Sequence, residues 1–141
     1  MNTRLFVPAL ALFLIGGCTT VGPTRSDLVR DGQNTDNVVT YGMGYHQQRY
    51  SPLSQINKSN VKRLAPVWTA PLDNEFGEQA QPLIFNGVMY VSNAKWTMAI
   101  DALTGKVSTQ QDLGQPVHIA PVVAQGRMYI LTSSARLISL N

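Results

Sequence analysis

Apolar positions fall into two kinds of pattern along the chain. Leu5 to Ile15 is one unbroken apolar run of 11 residues behind Arg4. A membrane-spanning helix needs about 20 such residues, so the run fits the core of a secretory signal instead. Beyond residue 66 the apolar residues come in short β-rich bursts, each closed by a turn-forming pair. Leu83-Ile84-Phe85 ends at Asn86-Gly87, and Val88-Met89-Tyr90-Val91 follows at once. Val122-Val123-Ala124 ends at Gln125-Gly126 before Arg127-Met128-Tyr129-Ile130. Each pair predicts a tight hairpin, because Gly87 and Gly126 adopt positive φ without steric cost. Pro82 and Pro121 stand where a strand begins and a missing N–H is tolerated.

The two units are repeats. Pro82, Gly87, Met89 and Tyr90 recur as Pro121, Gly126, Met128 and Tyr129 at a spacing of 39, and Ile100-Asp101 recurs as Leu140-Asn141 at 40. A period near 40 made of short strands is the mark of a propeller blade. Thr97–Ile100 and Arg136–Leu140 read as third strands, and Val107–Gln111 as a fourth. Asp101 and Gly105 form the turn between the third and fourth strands. With Val67 onward included, the pattern predicts about eight strands in two four-stranded sheets. Helical periodicity is absent; Asn57–Leu64 has room for one short turn. The fold class is therefore all-β, a partial β-propeller of about two blades.

Composition sharpens this picture. The chain has 141 residues, 44% hydrophobic and 13% charged, with a net charge of +3. The apolar share opposes intrinsic disorder, and the scattered basic residues give no nucleic-acid footprint. The single cysteine, Cys18, rules out an intrachain disulfide and a CxxC metal site. It closes Leu14-Ile15-Gly16-Gly17-Cys18, which resembles a bacterial lipobox and implies a signal peptide over 1–17 and lipid on Cys18. Thr19 follows in place of Asp, which favours the outer membrane facing the periplasm, with the membrane as a partner through the lipid. Residues 18–37 read as a flexible tether and 38–141 as the propeller segment.

Pro82-Leu83 through Gly87-Val88-Met89-Tyr90-Val91, followed by Ala99-x-Asp101-x-x-Thr104-Gly105-Lys106, resembles the PQQ repeat of quinoprotein propellers. Thr40-Tyr41-Gly42, Gln48-Arg49-Tyr50-Ser51-Pro52-Leu53, Gln55-Ile56-Asn57 and Asn60-Val61-Lys62-Arg63-Leu64, ending in Trp68, extend the likeness. Residues 38–106 thus resemble the start of PQQ-dependent alcohol dehydrogenases. Residues 107–141, through Pro116-Val117-His118-Ile119-Ala120-Pro121, resemble the last blade of the PQQ-repeat lipoprotein of the outer-membrane β-barrel assembly machine, a BamB-like protein that binds no PQQ. The dehydrogenase likeness implies a quinone-contacting Glu where this chain has Gln79, making Gln79 the one cofactor-binding candidate. It also implies a blade-docking Trp where Thr109 stands, and an adjacent cysteine pair that is absent.

The remaining chemistry is sparse. Asp73, Glu75 and Glu78 share one loop but only partly match a calcium loop. His46 and His118 lack further ligands at metal spacing. Trp68 and Trp96 read as core residues. No catalytic residue and no metal site is assigned. The expected function is a non-catalytic envelope lipoprotein, a binding or scaffold module without cofactor. The alternative is a fragment of a PQQ-dependent alcohol dehydrogenase retaining its first blade, with PQQ and a divalent cation. Two blades leave open sheet edges, which implies protein partners or further blades to complete the ring.

Overall fold

The computed structural model describes residues 22–73 and 80–140. Cys18, Gln79, Glu75 and Glu78 lie outside the described residues, as does the lipobox. Among the described residues, no helix is long and apolar enough to cross a membrane.

The elements follow in order: α1 (Arg25–Arg30), β1 (Leu83–Phe85), β2 (Val88–Ser92), β3 (Trp96–Asp101), β4 (Val107–Asp112), β5 (Val122–Ala124), β6 (Arg127–Leu131) and β7 (Leu137–Leu140). Strands β1-β2-β3-β4 form one antiparallel sheet and β5-β6-β7 a second. At both hairpins two successive residues have positive φ: Asn86 (49°) with Gly87 (76°), and Gln125 (50°) with Gly126 (74°). This two-residue geometry matches the twist of the strands it joins. Met89 pairs with Ile100 and Met128 with Leu140. The sequence repeat is thus a structural repeat, and its slip from 39 to 40 falls between the second and third strands.

Seven strands form among the described residues, one fewer than the eight predicted. The missing one is Val67–Leu72. Its side chains alternate outward and inward as in a strand, yet its backbone pairs with no described strand. A β-bulge interrupts β3–β4 at Ala99/Ile100, leaving Ser108 unpaired, and its hydroxyl donates to the Ala99 carbonyl at 2.9 Å. The turn predicted at Asn57–Leu64 is a 3-10 turn over Val61–Arg63.

Side-chain alternation gives the first sheet two apolar faces. On one, Leu83 packs with Val123, Met128 and Ile130 of the second sheet and with Leu113 and Val117 of the connection, and Tyr90 lies against them. On the other, Val91, Met98 and Ile100 pack against Trp68, Ala70 and Leu72. Burial of each large side chain stabilises by about 1.5–3 kcal/mol. Strand β4 is polar and largely exposed.

The expected tether over 18–37 needs correction. Arg25–Arg30 is helical, opened by a capping box in which Thr24 and Asp27 bond each other's backbone N–H. Asp31 follows in a 3-10 turn and is fully buried. Its Oδ1 accepts from Val39 N at 2.9 Å, and its Oδ2 from Thr40 N at 2.9 Å and from the Thr40 hydroxyl. Val38 then bridges to Ile84 at the edge of β1. The sequence suggested a tether because the segment lacks large apolar residues; a carboxylate and backbone amides hold it instead. Asp31→Asn turns one acceptor into a donor facing an N–H, at a cost of about 1–3 kcal/mol. Thermal unfolding of this variant is expected to show a midpoint lowered by roughly 4–8 °C per kcal/mol. An unchanged midpoint would show that the carboxylate does not hold the segment.

Candidate functional site

One side chain holds Leu72 at the end of the first sheet. Asn93, only 2% exposed, follows β2. Its Nδ2 donates to the Leu72 carbonyl at 2.9 Å, while its Oδ1 accepts from Lys95 N (2.8 Å) and Trp96 N (2.7 Å). Its own carbonyl accepts from Val117 N at 3.3 Å. Three stretches distant in sequence therefore meet at Asn93: the approach to β1, the β2–β3 turn and the connection to β5. Beside it, Lys95 Nζ lies 4.9 Å from the Trp96 ring centroid. The Trp96 Nε1 is buried without a hydrogen-bond partner among the described residues. Ser92 and Thr97, both buried, share a hydroxyl hydrogen bond of 2.9 Å.

At the opposite end of β3, Asp101 organises the turn into β4. Its Oδ1 accepts from Leu103 N (3.1 Å), Thr104 N (2.7 Å) and the Thr104 hydroxyl (2.7 Å). The Thr104 hydroxyl bond, then the Thr104 amide, hold the Asp101 carboxyl below its ordinary value. Bonds from Thr24 do the same for Asp27. Gly105 has φ 73°, and a Cβ there would sit 2.5 Å from the Trp68 ring. Trp68 lies on this turn and donates Nε1–H to the Ala102 carbonyl at 3.1 Å. Gly105 thus serves the turn and also makes room for the indole.

A half-open cleft of about 410 Å³ lies between the two sheets. Val88, Tyr90 and Thr97 line one wall, Val123 and Met128 the other, and Thr109 with Gln111 its outer rim. Thr109 is the position where the family resemblance implies a docking Trp.

The fit to a quinone and its cation is incomplete. Among the described residues no three His, Cys, Asp or Glu side chains come together as a metal site. His46 and His118 are exposed, and the described carboxylates are scattered, two of them consumed in the helix cap and the β3–β4 turn. Lys95 and Trp96 Nε1 are donors at the end of the first sheet, yet the oxygen donors a divalent cation requires are not gathered here. Asp31 and Asn93 were not distinguished from the sequence, because a lone Asp or Asn carries no spacing signature.

The family model of the glucose/ethanol/alcohol dehydrogenase β-propeller domain, named for PQQ, matches residues 39–118. The chain belongs to this family. A quinoprotein alcohol dehydrogenase of Pseudomonas putida, PedH, is 37% identical over 151 residues, covering 97% of this chain and 25% of its own length. The dehydrogenase subunit of the quinone-linked alcohol dehydrogenase of Komagataeibacter europaeus is 37% identical over 161 residues, covering 100% of this chain and 22% of its own. Among solved structures, the quinohemoprotein alcohol dehydrogenase of Comamonas testosteroni superposes with a TM-score of 0.78 at 30% identity. That match covers 86% of this chain and 20% of that one. A europium-containing methanol dehydrogenase gives 0.74 at 25% identity, over 82% of this chain and 23% of that one. The chain therefore spans about a quarter or less of the relatives it matches.

These findings overturn the scaffold-lipoprotein function expected from the sequence. The dehydrogenase likeness covers 97–100% of the chain, including the tail that suggested another family. Shared blade geometry explains the confusion, since both strand–hairpin–strand units of this chain present the same Pro, Gly and Tyr positions.

The cleft yields a direct test. Thr109→Trp places an indole over an open apolar wall and is expected to add on the order of 1–2 kcal/mol. Differential scanning calorimetry should show a raised midpoint with an unchanged far-UV spectrum. A lowered midpoint would show that the cleft is shaped to stay open.

Proposed function

We propose that this chain supplies the leading blades of a PQQ-dependent alcohol dehydrogenase propeller. The observation that carries the reading is the family match over 39–118, together with dehydrogenase relatives aligned along nearly the whole chain. When bound, the quinone supplies the two-electron acceptor for alcohol oxidation. This chain's own contribution is positional. Asn93 ties Leu72 to the β2–β3 turn, and the resemblance of the sequence to the family makes Gln79 the candidate for contact with the quinone. Asp101 and Gly105 fix the turn on which Trp68 rests.

A chimera tests the reading. The full 141-residue chain replaces the matching quarter of the Pseudomonas putida relative, and the protein is loaded with PQQ and calcium. Dye-coupled ethanol oxidation is expected within about a hundred-fold of the parent, since the swapped quarter is 37% identical to the segment it replaces. Gln79→Glu in the same chimera is expected to tighten PQQ binding. A chimera that melts cooperatively but shows no PQQ-dependent oxidation would contradict the reading.

A further inference from the structure

The half-open cleft between the two sheets holds about 410 Å³, a size typical of small-molecule pockets. Val88 and Tyr90 of β2 form one wall, and Val123, Met128 and Leu140 of the second sheet form the other. Among its described lining residues Arg127 alone carries a charge, and Arg127 stands in solvent. The interior is therefore neutral and largely apolar. Tyr90 and Met128 border it from opposite walls, and a phenol ring and a thioether both make favourable contacts with an aromatic ring.

One buried polar group interrupts this lining. Thr97 of β3 is 5% exposed and borders the cleft. Its hydroxyl shares a 2.9 Å hydrogen bond with the hydroxyl of Ser92, which is 1% exposed. Two hydroxyls offer two protons and four lone pairs, and this bond uses one of each. Among the described residues neither hydroxyl has a second partner. Hydrogen-bonding capacity left over beside an apolar space is costly, and a ligand hydroxyl in that space recovers the loss.

We propose that this cleft binds a small uncharged phenol, its ring between Tyr90 and Met128 and its hydroxyl on the Ser92–Thr97 pair. The assignment uses neither the quinone nor the alcohol chemistry of the relatives. Other occupants fit less well. A carboxylate leaves water for a neutral interior, because the one cation of the lining stands outside it. An extended peptide brings an N–H and a C=O with each residue, and one hydroxyl pair does not satisfy them. A hydrocarbon ring fills the space but leaves the hydroxyl pair unanswered. A phenol answers both.

Carbon-13 methyl spectra of the methionine-labelled full chain test this, because Met128 borders the cleft while Met89 packs on the opposite face of the first sheet. Titration with p-cresol is expected to move the Met128 resonance saturably, with a Kd on the order of 1 mM for so small a ligand, and to leave Met89 in place. Toluene, the same ring and methyl group without the hydroxyl, is expected to move Met128 as well. Thr97→Val is expected to weaken p-cresol about five- to ten-fold and toluene less than about two-fold. Thr109→Trp fills the cleft from its exposed rim and is expected to abolish both; it carries the test if Thr97→Val fails to fold. No saturable Met128 shift at about ten times that concentration would overturn the inference. Equal loss of p-cresol and toluene in Thr97→Val would do so too, as would undiminished binding in folded Thr109→Trp. Binding to the full chain that disappears in the chimera would assign the cleft to the blades that follow and would likewise overturn it.

Discussion

A four-stranded sheet with apolar side chains on both faces needs cover on both. That requirement organises the molecule. Tyr90 and Leu83 turn one face of β1–β4 toward the second sheet, and Val91, Met98 and Ile100 turn the other toward Trp68, Ala70 and Leu72. Strand alternation makes this unavoidable, because neighbouring residues on β2 and β3 serve opposite faces. The blades are therefore stacked layers, each covering the next. Trp68 on the Gly105 turn shows how closely one layer seats on another: even a methyl group at residue 105 would meet the indole.

Hydrogen bonds then fix what packing alone would leave loose. Asp31 gathers the amides of Val39 and Thr40 and holds residues 31–40 beside β1. Asn93 joins three chain segments at one end of the first sheet. Asp101 shapes the β3–β4 turn at the other end. None of these is catalytic chemistry. All three are devices that place loops relative to strands. The cleft at Thr109 lies where the first sheet meets the second.

The strands, hairpins and turn were legible because they depend on local rules. Asn86-Gly87 and Gln125-Gly126 announce their hairpins, Pro82 and Pro121 precede their strands, and Asp101 with Gly105 brackets a turn. The burial of Asp31 was not legible, since a carboxylate satisfied by backbone amides eight and nine residues away leaves no periodic trace. Asn93 escaped notice for the same reason. The strand expected from Val67 onward has the alternating burial of a strand, but that alternation reports which face is covered, not whether the backbone has a partner. The functional assignment failed where it leaned on a short tail resemblance, because blade-level likeness follows geometry shared across the family.

The central proposal is that this chain forms stacked layers of a larger propeller and binds no quinone by itself. Titrating PQQ into the full chain, with and without calcium, while following the fluorescence of Trp68 and Trp96, tests it most directly. The expected result is no saturable quenching at micromolar PQQ under either condition, since the chain spans about a quarter of the length of its dehydrogenase relatives. Saturable, calcium-dependent binding at one quinone per chain would contradict it.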